Sequence, residues 1–572
     1  MGCAGVRSAP PALPQAAEVD WQPWSREAFE RAEAEGRNVL VSVQAVWCHW
    51  CHVMNDETFG NAEVIAALGE SYVAIKVDSD ARPDLAERFR DYAWPATVLL
   101  TPRGEIIRAM RGYRPAEPFT RLLRAAARGD VLPEEEAREA APPAELDALR
   151  SAAIASLDGL YDDEAGGWGR RQKYPYFAPL EHAFFRAQVR GEGAWGQRAR
   201  QTLAGTAHLI DPVFGGAYQY SLRNRWTAPH FEKIAAVQAD VLAGFARAVL
   251  AGEPRAEADS AMAAQLRYLR EFFTAPSGAF YTSQDADLDH ELSGDVYYAM
   301  GDAARRAAGF PRVDQNQYVD LNARVILALV LAHRAQADGA LAMAERAADA
   351  MLVLQRDDGG FEHATGAGDL RYLRDQAYAI RALLRLYEVS AESRYREAAE
   401  RAADFVLAEL QAPRGFYGHT EDPAAFGALA ERRAPIAENG VLARGFLELA
   451  RRSGESRFAE GADHALGVAS LASLRREGRR IGDYLLGAEE RLSPYVLVSV
   501  VGPDTEETRA LHDAALRLAT PLALVELGRP GESRYPYPGE AAAYLCNASA
   551  CSRPVFAADG LAAAADAFLD AD

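Results

Sequence analysis

The residues with the clearest capacity for chemistry are the two cysteines of Trp47-Cys48-His49-Trp50-Cys51-His52, which follow the apolar run Asn38 to Val43. A strand that runs into an aromatic residue and then into Cys-x-x-Cys places the first cysteine at a helix N-terminus. Unpaired backbone amides and the helix dipole there favour a thiolate over a thiol. Cys48 is therefore the expected nucleophile. Cys51, one helical turn later, is placed to attack a mixed disulfide on Cys48 and release the partner. His49 between them adds positive charge that would depress the Cys48 pKa further. Two other readings compete: zinc held by Cys48, His49, Cys51 and His52, and a pair of inert structural thiols.

The flanking elements favour redox chemistry. A lead-in helix is expected from Trp21 to Gly36, with Ser25 as its cap. After the motif come a helix from Asn61 to Gly69, a strand from Tyr72 to Asp78 and a polar helix from Pro83 to about Tyr92. Trp94 to Glu105 then reads as a loop, a buried strand and a turn into a last strand ending near Met110. Cys-x-x-Cys beside such a β/α pattern is a redox signature, and the stretch resembles a thioredoxin domain. That resemblance implies that Pro95 is a cis-proline facing the dithiol, with its backbone pairing to a substrate chain. It also implies no cofactor beyond the disulfide itself. The chain departs from the pattern at Ser42, which stands where thioredoxins bury an acid six residues before the first cysteine.

Length and composition bound the rest. The 572 residues exceed what one core supports, so several units are expected. With 49% hydrophobic residues and a net charge of -20, the chain is globular and ill suited to grip nucleic acid, whose phosphates need a basic surface. No apolar run is long enough to span a membrane, and the first twenty residues lack a secretory core. The reading is a disordered tail over 1–20, a thioredoxin-like unit over 21–128, an acidic, proline-bearing linker over 129–143 and a cytoplasmic protein.

From about residue 144 the character changes to alanine- and leucine-rich helical stretches. They are broken by similar glycine-aromatic turns at 162–169, 211–220, 275–285, 355–363 and 411–422, with a weaker sixth at 478–484. Spacings of roughly 50 to 80 residues fit one helical hairpin per repeat, and six hairpins close into an (α/α)6 toroid over 144–490. Polar clusters mark a candidate pocket in it: Lys173 and Tyr174; Trp226, His230 and Glu232; Asp285 and Asp287; Asp375 with Tyr378; and Glu438 with Asn439. Pro229 suits a first helical position, which would put His230 and Lys233 on one helix face. Acids and bases flanked by aromatics suit sugar chemistry. The competing reading is structural, with acids capping helices at turn starts and His230 bonded inside the toroid.

The combination of Cys48-His49-Trp50-Cys51-His52-Val53-Met54, Lys76-Val77-Asp78, Lys173-Tyr174-Pro175, Pro229 to Lys233 and Asp285-Ala286-Asp287 resembles the spermatogenesis-associated protein 20 family. The resemblance implies a thioredoxin-like α/β domain joined to an all-α (α/α)6 barrel of the six-hairpin glycosidase and epimerase type. This chain diverges in Tyr92-Ala93, where a glycine-rich insertion is shortened, and around Asn322, where a tryptophan is lost. Residues 491–572 read as a small α/β appendage with strands over 495–501 and 522–527 around a helix over 506–518. It ends in a second thiol pair, Cys546 and Cys551, expected to exchange with the first pair or sense the same oxidant, unless both are buried apolar thiols.

Three functions follow in order of preference. The first is a thiol-disulfide oxidoreductase whose partner is a protein thiol or disulfide and whose toroid recognises a protein or a small carbohydrate. The second is a sugar epimerase, isomerase or glycoside hydrolase regulated by the thioredoxin-like unit. The third is a non-catalytic scaffold. The oligomeric state is left open by the sequence.

Overall fold

Alternation along the second strand explains the first unit of the computed structural model, which describes residues 18–131, 144–288 and 292–570. The expected tail lies outside the described residues up to position 17, and the expected linker lies outside them over 132–143. The elements run β1 (Trp21–Gln22), α1 (Arg26–Glu35), β2 (Asn38–Gln44), α2 (His49–Val53), α3 (Ala62–Ser71), β3 (Tyr72–Asp78), α4 (Pro83–Arg88), β4 (Ala96–Leu100), β5 (Ile106–Arg111) and α5 (Ala116–Ala127). The sheet order is β1-β3-β2-β4-β5, with β1, β3 and β2 parallel and β4 and β5 antiparallel to their neighbours. Because side chains alternate across a sheet, Val39, Val41 and Val43 join Phe29 and Val98 on one face, while Leu40 joins Leu68, Leu99 and Leu123 on the other. A strand buried on both faces reads as a continuous apolar run, as this one does. The lead-in helix is shorter than expected. Trp21 pairs with β3 as a strand and packs edge-on against Phe59, and α1 starts only after Ser25, whose hydroxyl accepts the Ala28 N–H at 3.3 Å.

The second unit begins with α6 (Leu146–Leu160), α7 (Phe177–Val189), α8 (Gly193–Ala207), β6 (Tyr220–Ser221), β7 (Pro229–His230), β8 (Lys233–Ile234), α9 (Ala235–Leu250) and α10 (Arg255–Phe272). It continues through β9 (Ser283–Gln284), α11 (Gly294–Tyr298), α12 (Asp302–Ala308), β10 (Val313–Asp314), α13 (Val319–Arg334), α14 (Ala340–Leu352), α15 (Leu373–Ser390) and α16 (Ser393–Glu409). The last helices of the toroid are α17 (Ile436–Ser453), α18 (Ser456–Leu466), α19 (Leu471–Leu474) and α20 (Ile481–Arg491). Helices α7, α9, α13, α15, α17 and α20 pack each on the next, and α20 returns to α7, closing an inner ring. Helices α6, α8, α10, α14, α16 and α18 pack outside it. The unit is an (α/α)6 barrel. Closure at α20 depends on Gly482: a Cβ there would lie 2.8 Å from the backbone nitrogen of Pro179.

Each of the five strong turns is closed by a single antiparallel bridge: Tyr161 with Trp168, Ile210 with Ala217, Thr274 with Phe280, Gln355 with Phe361 and Gln411 with Phe416. Four are clamped from the following inner helix by a buried amide. Gln238, Asn322, Gln376 and Asn439 each accept from the backbone N–H and donate to the C=O of the closing residue, at 2.6 to 3.2 Å. The first two turns carry a lysine clasp, which in the second adds to the amide. Lys173 donates to Asp162 at 2.7 Å and to the Gly166 and Gly169 carbonyls, and Lys233 donates to Asp211 at 2.8 Å and to the Gly215 carbonyl. The weak sixth turn is different: Gly478–Arg480 is a single 3-10 turn leading straight into α20. Nor does a helix start at Pro229. Pro229 and His230 pair with Ser221 and Tyr220, and Lys233 pairs with Gln284 in a separate sheet, so His230 and Lys233 share no helix face.

The C-terminal appendage comprises β11 (Val496–Val501), α21 (Glu506–Leu516), β12 (Ala523–Gly528), β13 (Ala542–Cys546) and α22 (Leu561–Asp570). Strand β11 is central, parallel to β12 and antiparallel to β13. The appendage covers the C-terminal ends of the inner helices. Glu388 accepts the Val525 N–H at 2.8 Å, Arg452 donates to the Val525 carbonyl at 2.8 Å, and Arg334 donates to the Leu516 carbonyl at 2.9 Å. One end of the barrel is thereby capped, leaving the mouth at the inner-helix N-termini.

Candidate functional site

Cys48 is the residue immediately before α2. Its sulfur accepts the Cys51 N–H at 3.1 Å and is joined to Cys51 Sγ as a disulfide. The helix continues from α2 into a wider π-helical turn over Met54–Phe59. The Trp94-Pro95 peptide is cis, and the pairing of Ala96 with Val43 brings Pro95 to the sheet end at which the dithiol helix begins. Both sulfurs would have to be free thiolates to bind zinc, and His52 Nε2 is engaged by the Val46 carbonyl at 2.9 Å. Around the motif, Trp47 Nε1 donates to Asp80 at 2.8 Å, while Trp50 stands 45% exposed with its ring 5.9 Å from that of Tyr113. At the position of the missing acid, Ser42 is buried and accepts from Gln44 at 3.0 Å. Gln44 exchanges hydrogen bonds with Asn55, and Asn55 accepts from Lys76 at 3.2 Å. Burial pulls the Lys76 ammonium below its ordinary pKa. Amides and a lysine thus occupy the place of a carboxylate.

The second pair, Cys546 and Cys551, also forms a disulfide, across the end of β13 with Cys546 buried and Cys551 exposed. The two pairs belong to different compact units.

In the barrel, the expected pocket residues divide into three sets. Lys173 is fully buried in its clasp, where burial would raise the Asp162 carboxyl but Lys173 and the backbone amides of Ala165 and Glu164 hold it down to about 2. Trp226 is a strut, donating to the Ala165 carbonyl at 2.8 Å and filling the space above Gly167 and Gly205. Asp287 accepts the Gly294 N–H at 2.7 Å at the start of α11, and Asp285 is buried with its N–H on the Arg312 carbonyl. These residues build turns.

Tyr174, His230 and Glu232 come together at the mouth. The rings of Tyr176, Tyr174, Tyr220 and His230 form a continuous stack with centroid separations of 5.4, 4.7 and 4.3 Å, and the Arg479 guanidinium lies 4.0 Å from the Tyr174 centroid. Glu232 Oε2 stands 3.7 Å from His230 Nδ1. Burial raises the phenols of Tyr174 and Tyr220, so both remain protonated donors at neutral pH.

Asp375 and Glu438 belong to the third set, on α13, α15 and α17. His363 Nδ1 lies 3.0 Å from both Asp375 oxygens, and one of these accepts the Asp320 N–H at 3.0 Å. Burial raises Asp375 against the pull of His363. Arg374 bridges Asp320 and Glu438 at 3.5 and 3.4 Å. Asp320, His363 and Asp375 each offer one ligand atom within 4.8 Å of the others; His363 Nδ1 is already bonded to Asp375, and the Asp320 carboxylate pairs with Arg374.

Deeper in the barrel lies a layer that sequence reasoning missed apart from Tyr378. Arg324 pairs with Asp240 at 3.0 Å and sits 5.2 Å from the Tyr378 ring, while Arg444 reaches across to Glu181 at 2.7 Å. Burial pushes Asp483 up to about 6 against the pull of Arg324 and Arg444. A readable signal existed: Arg374, Tyr378, Arg381 and Arg385 recur at helical spacing along one face of α15.

A family model described as Thioredox_DsbH, protein of unknown function DUF255, matches residues 8–126. The chain is 29% identical over 311 residues to spermatogenesis-associated protein 20 of Homo sapiens, covering 48% of this chain and 39% of that protein. The aligned stretch spans about two fifths of the length of the human, mouse and rat relatives of that name. It is also 34% identical over 100 residues to thiol:disulfide interchange protein DsbD 2 of Pseudomonas aeruginosa, covering 17% of this chain and 16% of that protein. Among solved structures, a D-mannose isomerase aligns with a TM-score of 0.44 at 13% identity, covering 56% of this chain and 84% of that one. Cellobiose 2-epimerase from Bacillus thermoamylovorans B4167 aligns at 0.43 and 11%, covering 56% and 85%.

Proposed function

We propose that the first unit carries out thiol-disulfide exchange with Cys48 as the attacking sulfur. The observation that carries the reading is the placement of Cys48 Sγ at the start of α2, within hydrogen-bond reach of the Cys51 N–H and bonded to Cys51. In the reduced form, the Cys48 thiolate attacks one sulfur of a partner disulfide, expelling the other as a thiolate and leaving a mixed disulfide. Cys51 then loses its proton and attacks Cys48 Sγ, expelling the second partner thiolate. One partner disulfide is reduced and the Cys48–Cys51 bond forms, and the same steps run backwards when a dithiol arrives.

The partner is a protein or small molecule bearing a thiol or disulfide, met on the surface that includes exposed Trp50. No cofactor beyond the disulfide is required, and we place the reaction in the cytoplasm, where a barrel free of cysteines needs no structural disulfide. With no carboxylate at Ser42, release of the Cys51 proton is expected to limit the second step.

The test is a trapping experiment on the full chain with a disulfide peptide. Cys51→Ser should accumulate a mixed disulfide on Cys48, and Cys48→Ser should give none. Equal labelling of both variants, or of neither, refutes the reading.

A further inference from the structure

The inner ring of helices encloses a well that solvent enters. On α15 every residue from Leu373 to Leu386 is buried except Arg374, Tyr378, Arg381 and Arg385, which share one helix face; the other faces pack on α13, α16 and α17. Arg324, Leu327 and Leu331 form a matching part-exposed stripe on α13. Side-chain exposure falls from 28% at Arg374 to 17% at Arg385, further from the mouth, and the appendage caps the far end. Two guanidiniums in this barrel interior lack a carboxylate partner. Arg381 makes no hydrogen bond or ion pair among the described residues, because Glu181 and Glu490, the acids whose fields it feels, are both bonded to Arg444. Arg247 reaches only Gln188, at 2.6 Å, and its buried Nε has no partner among the described residues. Both act on Glu181 from their own helices, α15 and α9, which places them around one spot. Burial and Arg444 push Arg381 down to about 10, and burial does the same to Arg247, so both stay charged at neutral pH. A charge drawn out of water without a partner is costly, and a chain of net charge -20 has acids to spare.

We propose that this well binds a small oxyanion, a carboxylate or phosphate group, seated on the Arg381 guanidinium with Arg247 adding charge from α9. A guanidinium presents paired N–H donors in a planar fork that matches two oxygens of either group. Tyr378, three residues nearer the mouth on the same face, adds a phenol that burial keeps protonated and able to donate. Asp483 faces the same layer but forms no ion pair with Arg381, and burial pushes its carboxyl up to about 6. A cation would be repelled by Arg381, and a neutral ligand would leave its charge unanswered.

The site is tested on the full chain with two probes at constant ionic strength: inorganic phosphate, followed by its phosphorus NMR linewidth, and succinate, followed by saturation transfer to its methylene protons. At least one should bind. Displacement of each by the other shows a site for the shared chemistry, and binding of one alone names the group it prefers. Arg381→Gln should weaken binding about tenfold or more, the loss of a charge-assisted contact. Arg381→Lys, which keeps the charge and loses the fork, should weaken it less, and Asp483→Asn, which removes a carboxylate from the same layer, should tighten it. Without ligand, Arg381→Gln should raise the urea midpoint, because it removes an unpaired charge; an arginine kept for the fold would give the opposite shift. Cys48→Ser should bind as wild type does, so a failed dithiol reading would leave this result standing. The proposal is overturned if neither probe binds, if binding survives Arg381→Gln, if Asp483→Asn weakens it equally, or if Arg381→Gln is destabilised or fails to fold.

Discussion

Replacing Asn439 by leucine should open one turn of the barrel without touching any ligand. Its side chain is buried and holds the Phe416 N–H at 2.8 Å and the Phe416 carbonyl at 2.9 Å; a third bond, to the Pro435 carbonyl, is shared with the Asn439 backbone N–H. Leucine has similar bulk but leaves the Phe416 donor and acceptor buried and unpaired. At about 1 to 3 kcal/mol for each such group, less about 1 kcal/mol from burying a more apolar side chain, the expected loss is about 3 kcal/mol. That corresponds to a local opening equilibrium favoured by roughly a hundredfold. Hydrogen exchange followed by mass spectrometry on the peptide spanning 411–418 reads this directly. Gln376→Leu should do the same to the turn closed by Phe361, independently, because the two clamps share no partner. Exchange within about threefold of wild type in both variants would refute the clamp and return Asn439 to the list of ligand-binding candidates.

Three further outcomes are expected. Gly482→Ala should destabilise the barrel by about 1 to 3 kcal/mol despite alanine's higher helix propensity, because the new methyl meets backbone at the ring-closing seam; an unchanged urea midpoint would contradict this. Glu388→Gln should loosen the appendage. Burial alone would raise its carboxyl, but Arg385, Arg334 and Arg452 hold it down to about 2, and removing one partner of such a network costs about 3 to 5 kcal/mol. Limited proteolysis should then release the segment after residue 491, and resistance equal to wild type would count against the capping role. Asp483 has its folded pKa raised to about 6 from 3.8, so burial favours its protonated form and stability is lost as pH rises across that window. Asp483→Asn should therefore gain on wild type by up to about 3 kcal/mol between about pH 4 and pH 7. A pH-independent difference in urea midpoints would show that Asp483 is not buried as a strained acid.

Both domains were legible because their signals are local. The apolar run of β2, the Cys-x-x-Cys that follows it and the recurring glycine-aromatic turns each mark one element, and the ring of inner helices follows from counting the turns. The sites were less legible. Lys173 and Trp226 stand in polar, aromatic-rich stretches just as a ligand-binding residue would, yet Lys173 closes its own turn on Asp162 and Trp226 fits over Gly167 and Gly205, which lie far from it in sequence. Pro229 was read as a helix start because proline suits that position, but pairing with Tyr220 and Ser221 overrode the local preference. Tyr220 ends the turn at 211–220, and Arg479 and Asp483 lie in the weak turn at 478–484, but nothing local singles out their side chains, and only closure of the ring brings them to their partners. The divergent segment around Asn322, where a tryptophan is lost, supplies a turn clamp that only the fold reveals.

The central claim is that Cys48 and Cys51 interconvert between dithiol and disulfide. It is tested by equilibrating the purified full-length chain in glutathione buffers of graded potential, trapping free thiols and locating them by peptide mass after a check for bound zinc. The account predicts a two-electron transition of this pair within the range of known oxidoreductases, about -270 to -120 mV. A pair that stays reduced throughout, or that holds zinc, would contradict it.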